Sequence, residues 1–158
     1  MKQFVSRIIK TIVLLTVFLS TSMTHVNALT SSDTSLENLM KSWQVSIGQY
    51  YHSYTPYNQS YVNDLLLPYE LLDHIMINNQ PVSMVWYEEG QEVDAETYQV
   101  TGVYVEDQQN VVYIFTLYKG QPIALMNDQF LYENSANGIN FNETANIDLK
   151  QRYDHLYR

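Results

Sequence analysis

Along residues 34–54 the apolar side chains Leu36, Leu39, Met40, Trp43, Ile47, Tyr50, Tyr51 and Tyr54 recur three or four positions apart. That spacing predicts an amphipathic helix with a broad stripe for a core. Thr34 with Glu37 three residues later is the pairing in which hydroxyl and carboxylate satisfy each other's orphan amides, so the helix is expected to start there. Pro56 disfavours helical backbone in the residue before it, which places the end near Tyr54. From Tyr57 to Asp73 the periodicity blurs. Leu65, Leu66 and Leu67 precede Pro68, and Tyr69 to Leu72 has the length of a single turn, so this stretch reads as an irregular connector with buried leucines.

Extended segments bounded by turn residues follow at 74–78, 81–87, 98–106, 111–119 and 122–127. Asp107-Gln108-Gln109-Asn110 marks the plainest hairpin. If those residues are the whole loop, Val105 lies opposite Val112 and Val103 opposite Ile114 on one face, with Tyr104 opposite Tyr113 and Gly102 opposite Phe115 on the other. Both faces are then apolar, unlike a sheet wetted on one side, and each needs a cover. The N-terminal helix supplies one. A second helix, the connector or a bound partner must shield the other, and the second helix is expected over 142–157, with Ala145, Leu149, Tyr153 and Leu156 at helical spacing behind Asn142 as cap. Residues 131–140 are polar and turn-like. The expected fold class is therefore α+β: a single antiparallel sheet of about 4–5 strands packed by a long N-terminal helix and a C-terminal helix.

The first residues do not belong to that pattern. Lys2, Arg7 and Lys10 frame a start whose run from Ile12 to Leu19 is apolar but for Thr16, and Val26-Asn27-Ala28 offers small residues at a cleavage site. This is an export signal, expected over residues 1–28 with the cut after Ala28, leaving 29–158 as one α+β domain. A retained membrane anchor is the other reading, but a spanning helix needs about 20 apolar residues and this run is shorter.

Once residues 1–28 are set aside, five basic residues face seventeen acidic ones, a net charge of −12. Such a surface repels nucleic acid and anionic lipid, so neither is an expected partner, and no stable membrane insertion is expected after cleavage. There is no cysteine, so the fold relies on its core without disulfides. Gly-rich phosphate loops, the Gly-x-Ser-x-Gly elbow and His-Glu-x-x-His are absent, and His52, His74 and His155 stand singly. No catalytic residue, cofactor or metal site is assigned. The acidic run Glu88, Glu89, Glu92, Asp94 and Glu96 lacks the alternation of a calcium loop and reads as a solvated loop.

Tyrosine is the unusual feature, with 14 in the chain beside 2 tryptophans. Tyr joins apolar area to a hydrogen-bonding tip, so Tyr50, Tyr51, Tyr54, Tyr57 and Tyr61 could line a groove for peptide or sugar, or could simply close a core. The candidate binding residues are Tyr50, Tyr54, Trp86, Tyr104 and Tyr113.

Several stretches in fixed order carry a resemblance: Lys41-Ser42-Trp43 with the run from Ile47 to Tyr54, then Leu67-Pro68-Tyr69-Glu70-Leu71-Leu72, and Val82-Ser83-Met84-Val85-Trp86. Gln99 to Tyr104 preceded by Tyr98, Val112 to Thr116 with Gly120 to Leu125, and the run from Asn142 to Leu149 complete it. The chain thereby resembles an exported family of lactic-acid and related Gram-positive bacteria, domain of unknown function 4767. The resemblance implies placement outside the cell or at its envelope and supplies no activity. Many relatives look like lipoproteins; lacking cysteine, this sequence departs from them toward release. The expected function is a secreted or envelope-associated, non-enzymatic module binding a peptide, protein or cell-wall component, with a small extracellular hydrolase using His and acidic residues as the alternative.

Overall fold

The computed structural model describes residues 35–108, 110–130 and 137–157. The export signal expected over 1–28 and the cap expected at Thr34 lie outside them. The first helix, α1, spans Leu36–Ile47, and Ser35 caps it, its hydroxyl accepting from the Asn38 N–H at 3.3 Å. It ends seven residues earlier than the aromatic spacing suggested. Gly48 sits at φ +69°, with its N–H on Val45 O and the Gln49 N–H on Gln44 O, the paired bonds that close a helix through a left-handed residue. Tyr51–Tyr54, expected to finish the helix, form strand β1 instead.

The connector is more regular than its sequence suggested. Ser60–Val62 (β2) and Leu65–Leu67 (β3) make a small separate ribbon, followed by the one-turn helix α2, Tyr69–Leu72. Strands β4 (Ile75–Ile77), β5 (Gln80–Pro81), β6 (Ser83–Trp86), β7 (Thr97–Glu106), β8 (Val112–Tyr118) and β9 (Gln121–Asn127) follow, close to the expected segments. Strand β10, Ile139–Glu143, overlaps residues read as turn and as helix. Helix α3 is shorter than expected, Ile147–His155, because Asn146 rather than Asn142 caps it, its Oδ1 accepting from the Leu149 N–H at 2.9 Å. Three two-residue hairpins, Asn63-Asp64, Asn78-Asn79 and Lys119-Gly120, have positive φ at both positions, as the turns that match strand twist require.

The main sheet has eight strands, in the order β1-β7-β8-β9-β10-β4-β5, with β6 also beside β7. It is mixed rather than antiparallel: β6 runs parallel to β7, and β10 parallel to β4. The expected β7–β8 register holds at all four pairs, Val105 with Val112, Val103 with Ile114, Tyr104 with Tyr113 and Gly102 with Phe115. A bulge at Thr101 then shifts the phase, so that Val100 joins Val103 on one face.

Each face carries its own core. Leu39, Met40 and Trp43 of α1 and Leu149 and Tyr153 of α3 pack on Tyr104, Tyr113, Phe115 and Ala124. Both helices therefore cover the same face, so of the three covers open for the second face it is not the C-terminal helix that serves. The other face is covered by the connector, whose Val62, Leu65, Leu67, Leu71 and Leu72 pack with Val100, Val103, Val105, Val112 and Ile114. Asn63 ties the ribbon down, its Nδ2 donating to Phe130 O at 2.8 Å.

Candidate functional site

The five tyrosine and tryptophan candidates do not converge. Tyr104 and Tyr113 are buried at 6% and 5% exposure in the helix-side core, each near the Phe115 ring at 5.7 and 6.2 Å. Tyr54 and Trp86 pack on the connector-side core, and Tyr50 is exposed between α1 and β1. The exposed Tyr57 and Tyr61 lie on the turn after β1 and on β2.

A groove of about 460 Å³ lies between α1, β1 and β7. Leu36, Glu37, Met40, Lys41 and Gln44 form the helical wall, Tyr51, Ser53 and Thr55 the strand wall, and Thr101, Gly102 and Tyr104 the floor. Tyr104 is thus the one candidate of the five among its lining residues. Alternation along β1 places Tyr51 and Ser53 toward α1 and sends His52 and Tyr54 to the other side. On the edge of β7 that faces β1, pairing by β6 stops at Val100 and pairing by β1 starts at Val103. Thr101 and Gly102 sit in the gap between the two. Gly102 lets the helix approach closely: a Cβ there would stand 2.8 Å from Leu36 Cδ2 and 3.0 Å from Tyr104 Cε2.

The groove is polar at its rim and apolar beneath. Lys41 Nζ meets Glu37 Oε1 at 2.5 Å one helical turn away, and that contact holds the Glu37 carboxyl below its usual range. Gln44 Oε1 accepts the Tyr51 N–H at 3.1 Å, and Asn58 Nδ2 donates to Ser53 O at 2.9 Å, so side chains take two of the outward backbone groups of β1. Burial pushes the Tyr104 phenol up to about 12, against a hydrogen bond from Ser53 that lowers it. Burial, followed by the neighbouring Tyr113 and Glu106, raises Tyr51 as well. Both phenols are neutral donors at physiological pH. Sequence reasoning missed Gln44, Ser53, Thr55 and Thr101; the visible signals were the i,i+4 pair Glu37–Lys41 and a glycine set opposite a phenylalanine.

The histidines are spread over separate places. His52 Nε2 lies 2.8 Å from Asp107 Oδ1, with both side chains more than half exposed, while His74 Nδ1 contacts Glu70 O at 2.6 Å before β4 and His155 ends α3. Among the described residues no three His, Cys, Asp or Glu side chains are grouped to hold a metal ion. The acidic loop before β7 is held by its own Asp94 and by side chains at the end of β8: Asp94 Oδ1 accepts the Glu96 N–H at 2.9 Å, and the Glu96 carboxylate takes the Tyr118 hydroxyl at 2.5 Å and Lys119 at 2.7 Å. Among the described residues no helix is long and apolar enough to cross a membrane.

Comparison with known proteins gives no match among curated proteins and none among solved structures. A family match covers residues 29–157, nearly the whole chain after the expected cleavage site. The chain belongs to the family described as domain of unknown function 4767.

Proposed function

We propose that the chain is exported, loses residues 1–28 on the way, and acts outside the cytoplasm as a non-enzymatic module that binds a peptide, protein or cell-wall component in the α1–β1 groove. The groove itself carries this reading. Its size falls within the range of ligand sites, and its walls offer hydroxyls, an amide and neutral phenols over apolar Leu36 and Met40. The lining holds no histidine to activate a hydroxyl. The family match begins at Leu29, directly after the expected cleavage site, which supports an export signal lying outside the family's domain.

The His52–Asp107 contact favours the second reading, an extracellular hydrolase. Against it, His52 has Asp107 as its polar partner, among the described residues no hydroxyl nucleophile is bonded to its ring, and it lies on the side of β1 away from the groove. Culture fractionation with N-terminal sequencing is expected to find the chain in the medium beginning near Leu29; intact Met1 in the membrane fraction would overturn export. For binding, the immobilised chain is expected to retain an envelope or medium component that Tyr51→Ala loses and Tyr50→Ala keeps. Turnover of a generic ester, peptide or glycan substrate that disappears in His52→Ala would replace this reading with the hydrolase.

A further inference from the structure

We propose that the outer face of the connector is a second interaction surface, and that its partner is a Lys/Arg-rich segment of another protein. The surface shares no lining residue with the α1–β1 groove and does not depend on it. In the β2–β3 ribbon Val62, Leu65 and Leu67 turn inward and are buried, while the cross-strand pair Tyr61 and Leu66 faces the other way. The Leu66 N–H donates to Glu70 Oε2 at 2.6 Å, which sets the first turn of α2 beside that pair. Tyr69 and Glu70 on α2, Asp64 in the ribbon turn and Asp73 after α2 are all exposed. Tyr57, in the turn that leads into the ribbon, is 99% exposed, Tyr61 69% and Tyr69 44%. The three acids suffice to solvate this face and call for no exposed rings. Three tyrosines presenting apolar area to water on one short element mark a contact surface.

Charge selects the partner. The 77 residues from Ser42 to Tyr118 hold ten acidic residues and no Lys or Arg. Of the described cations, Lys41, Lys150 and Arg152 stand on α1 and α3, which cover the opposite face of the sheet, and Lys119 is in the β8–β9 turn. Each is held by an acid elsewhere: Lys41 by Glu37, Lys150 by Glu143, Arg152 by Asp148 and Lys119 by Glu96. Among the described residues, then, no Lys or Arg pairs with Asp64, Glu70 or Asp73. A segment bearing Lys or Arg answers both features, because its charge meets these carboxylates and its cation lies over a tyrosine ring. A second copy of this chain would set acid against acid, given the net charge of −12 after cleavage, and an anionic polymer is repelled for the same reason.

The test titrates the isotope-labelled chain with short peptides of repeating Arg-Gly, Ser-Gly or Glu-Gly. It reads the amides of Tyr61, Leu66 and Asp73, with Gly102 in the groove and Glu92 in the acidic loop as references. Saturable shifts at the three connector amides are expected with the Arg-Gly peptide alone, weakening as salt is raised. Replacing Tyr57 and Tyr61 together by Ala is expected to weaken binding about tenfold, the loss of two cation–π contacts. Asp64→Asn combined with Asp73→Asn keeps a result in hand should the tyrosine variant fail to fold, because Asn suits the positive φ of residue 64. That pair is expected to weaken binding about threefold. No saturable shift at the connector, equal shifts with Ser-Gly or Glu-Gly, or larger shifts at Gly102 or Glu92 would each overturn the proposal. Unchanged affinity in the folded tyrosine variant, or in the Asn pair, would overturn it as well, leaving only diffuse acidic charge.

Discussion

Replacing Tyr153 with Phe deletes a single oxygen from a fully buried position and tests how α3 is pinned to the sheet. The Tyr153 hydroxyl donates to Thr116 O at 3.1 Å and lies 2.8 Å from the Thr101 hydroxyl, which also reaches Phe115 O at 3.2 Å. The ring stays in place against Phe115, 4.9 Å away, so almost no apolar burial is lost. What is lost is a partner for a buried carbonyl and for the hydroxyl at the bulge, a cost of about 2 kcal/mol for buried groups left unsatisfied. For a domain of this size that corresponds to a fall of about 8 °C in Tm. Urea unfolding followed by far-UV circular dichroism is expected to show a lower midpoint with an unchanged slope. Thr101→Val strikes the same network, so the double variant is expected to cost less than the sum of the two singles. A Tyr153→Phe chain within about 0.5 kcal/mol of the unaltered protein, or strict additivity, would refute the pinning argument.

Alkaline pH probes the buried phenols: above pH 10 an unfolded tyrosine releases its proton while folded Tyr104 keeps it up to about 12, so stability present at pH 10 is lost as pH rises toward 12. The slope is about 1.4 kcal/mol per pH unit for each such tyrosine, and Tyr104→Phe is expected to remove its share of the fall in urea midpoint. Gly48→Ala meets no atom within 4 Å, so its cost is backbone strain alone at φ +69°, about 1 kcal/mol by urea titration, and no loss would contradict the helix-ending role. Leu71→Ala in α2 empties a fully buried site of the connector-side core and is expected to cost about 2–5 kcal/mol, whereas a surface-like loss would mean that the connector does not seal that face.

The strands and their register were the most legible part of the sequence, because period-2 runs around Asp107-Gln108-Gln109-Asn110 leave one pairing that keeps both faces apolar. The helix end was misread for a definite reason. Tyr50, Tyr51 and Tyr54 continue a helical spacing, yet Gly48 interrupts it, and one left-handed glycine outweighs three well-spaced aromatics. Strand β10 was legible in hindsight, since Ile139 and Phe141 alternate with Asn140 and Asn142, but the polar stretch before it obscured the change of period. Which cover serves which face depends on crossings that no local pattern encodes, so both helices landing on one side was not readable. The groove was least legible of all: Gln44, Ser53 and Thr101 come from three elements and meet only through tertiary packing.

The short hairpins also bear on the order in which the chain organises itself. Closing a loop costs entropy that grows with the logarithm of its length, so strands joined by two residues meet at little cost. Strands β8 and β9, joined through Lys119-Gly120 and paired over seven residues, are within reach of each other as soon as both exist. Strand β4 must instead find β10 across 64 residues, from Ile75 to Ile139, and gains only three pairs by doing so. A central ribbon that zips early and a parallel margin that docks late follow from those lengths, and the late margin is where slowed folding would first leave apolar Ile75 and Phe141 open to solvent.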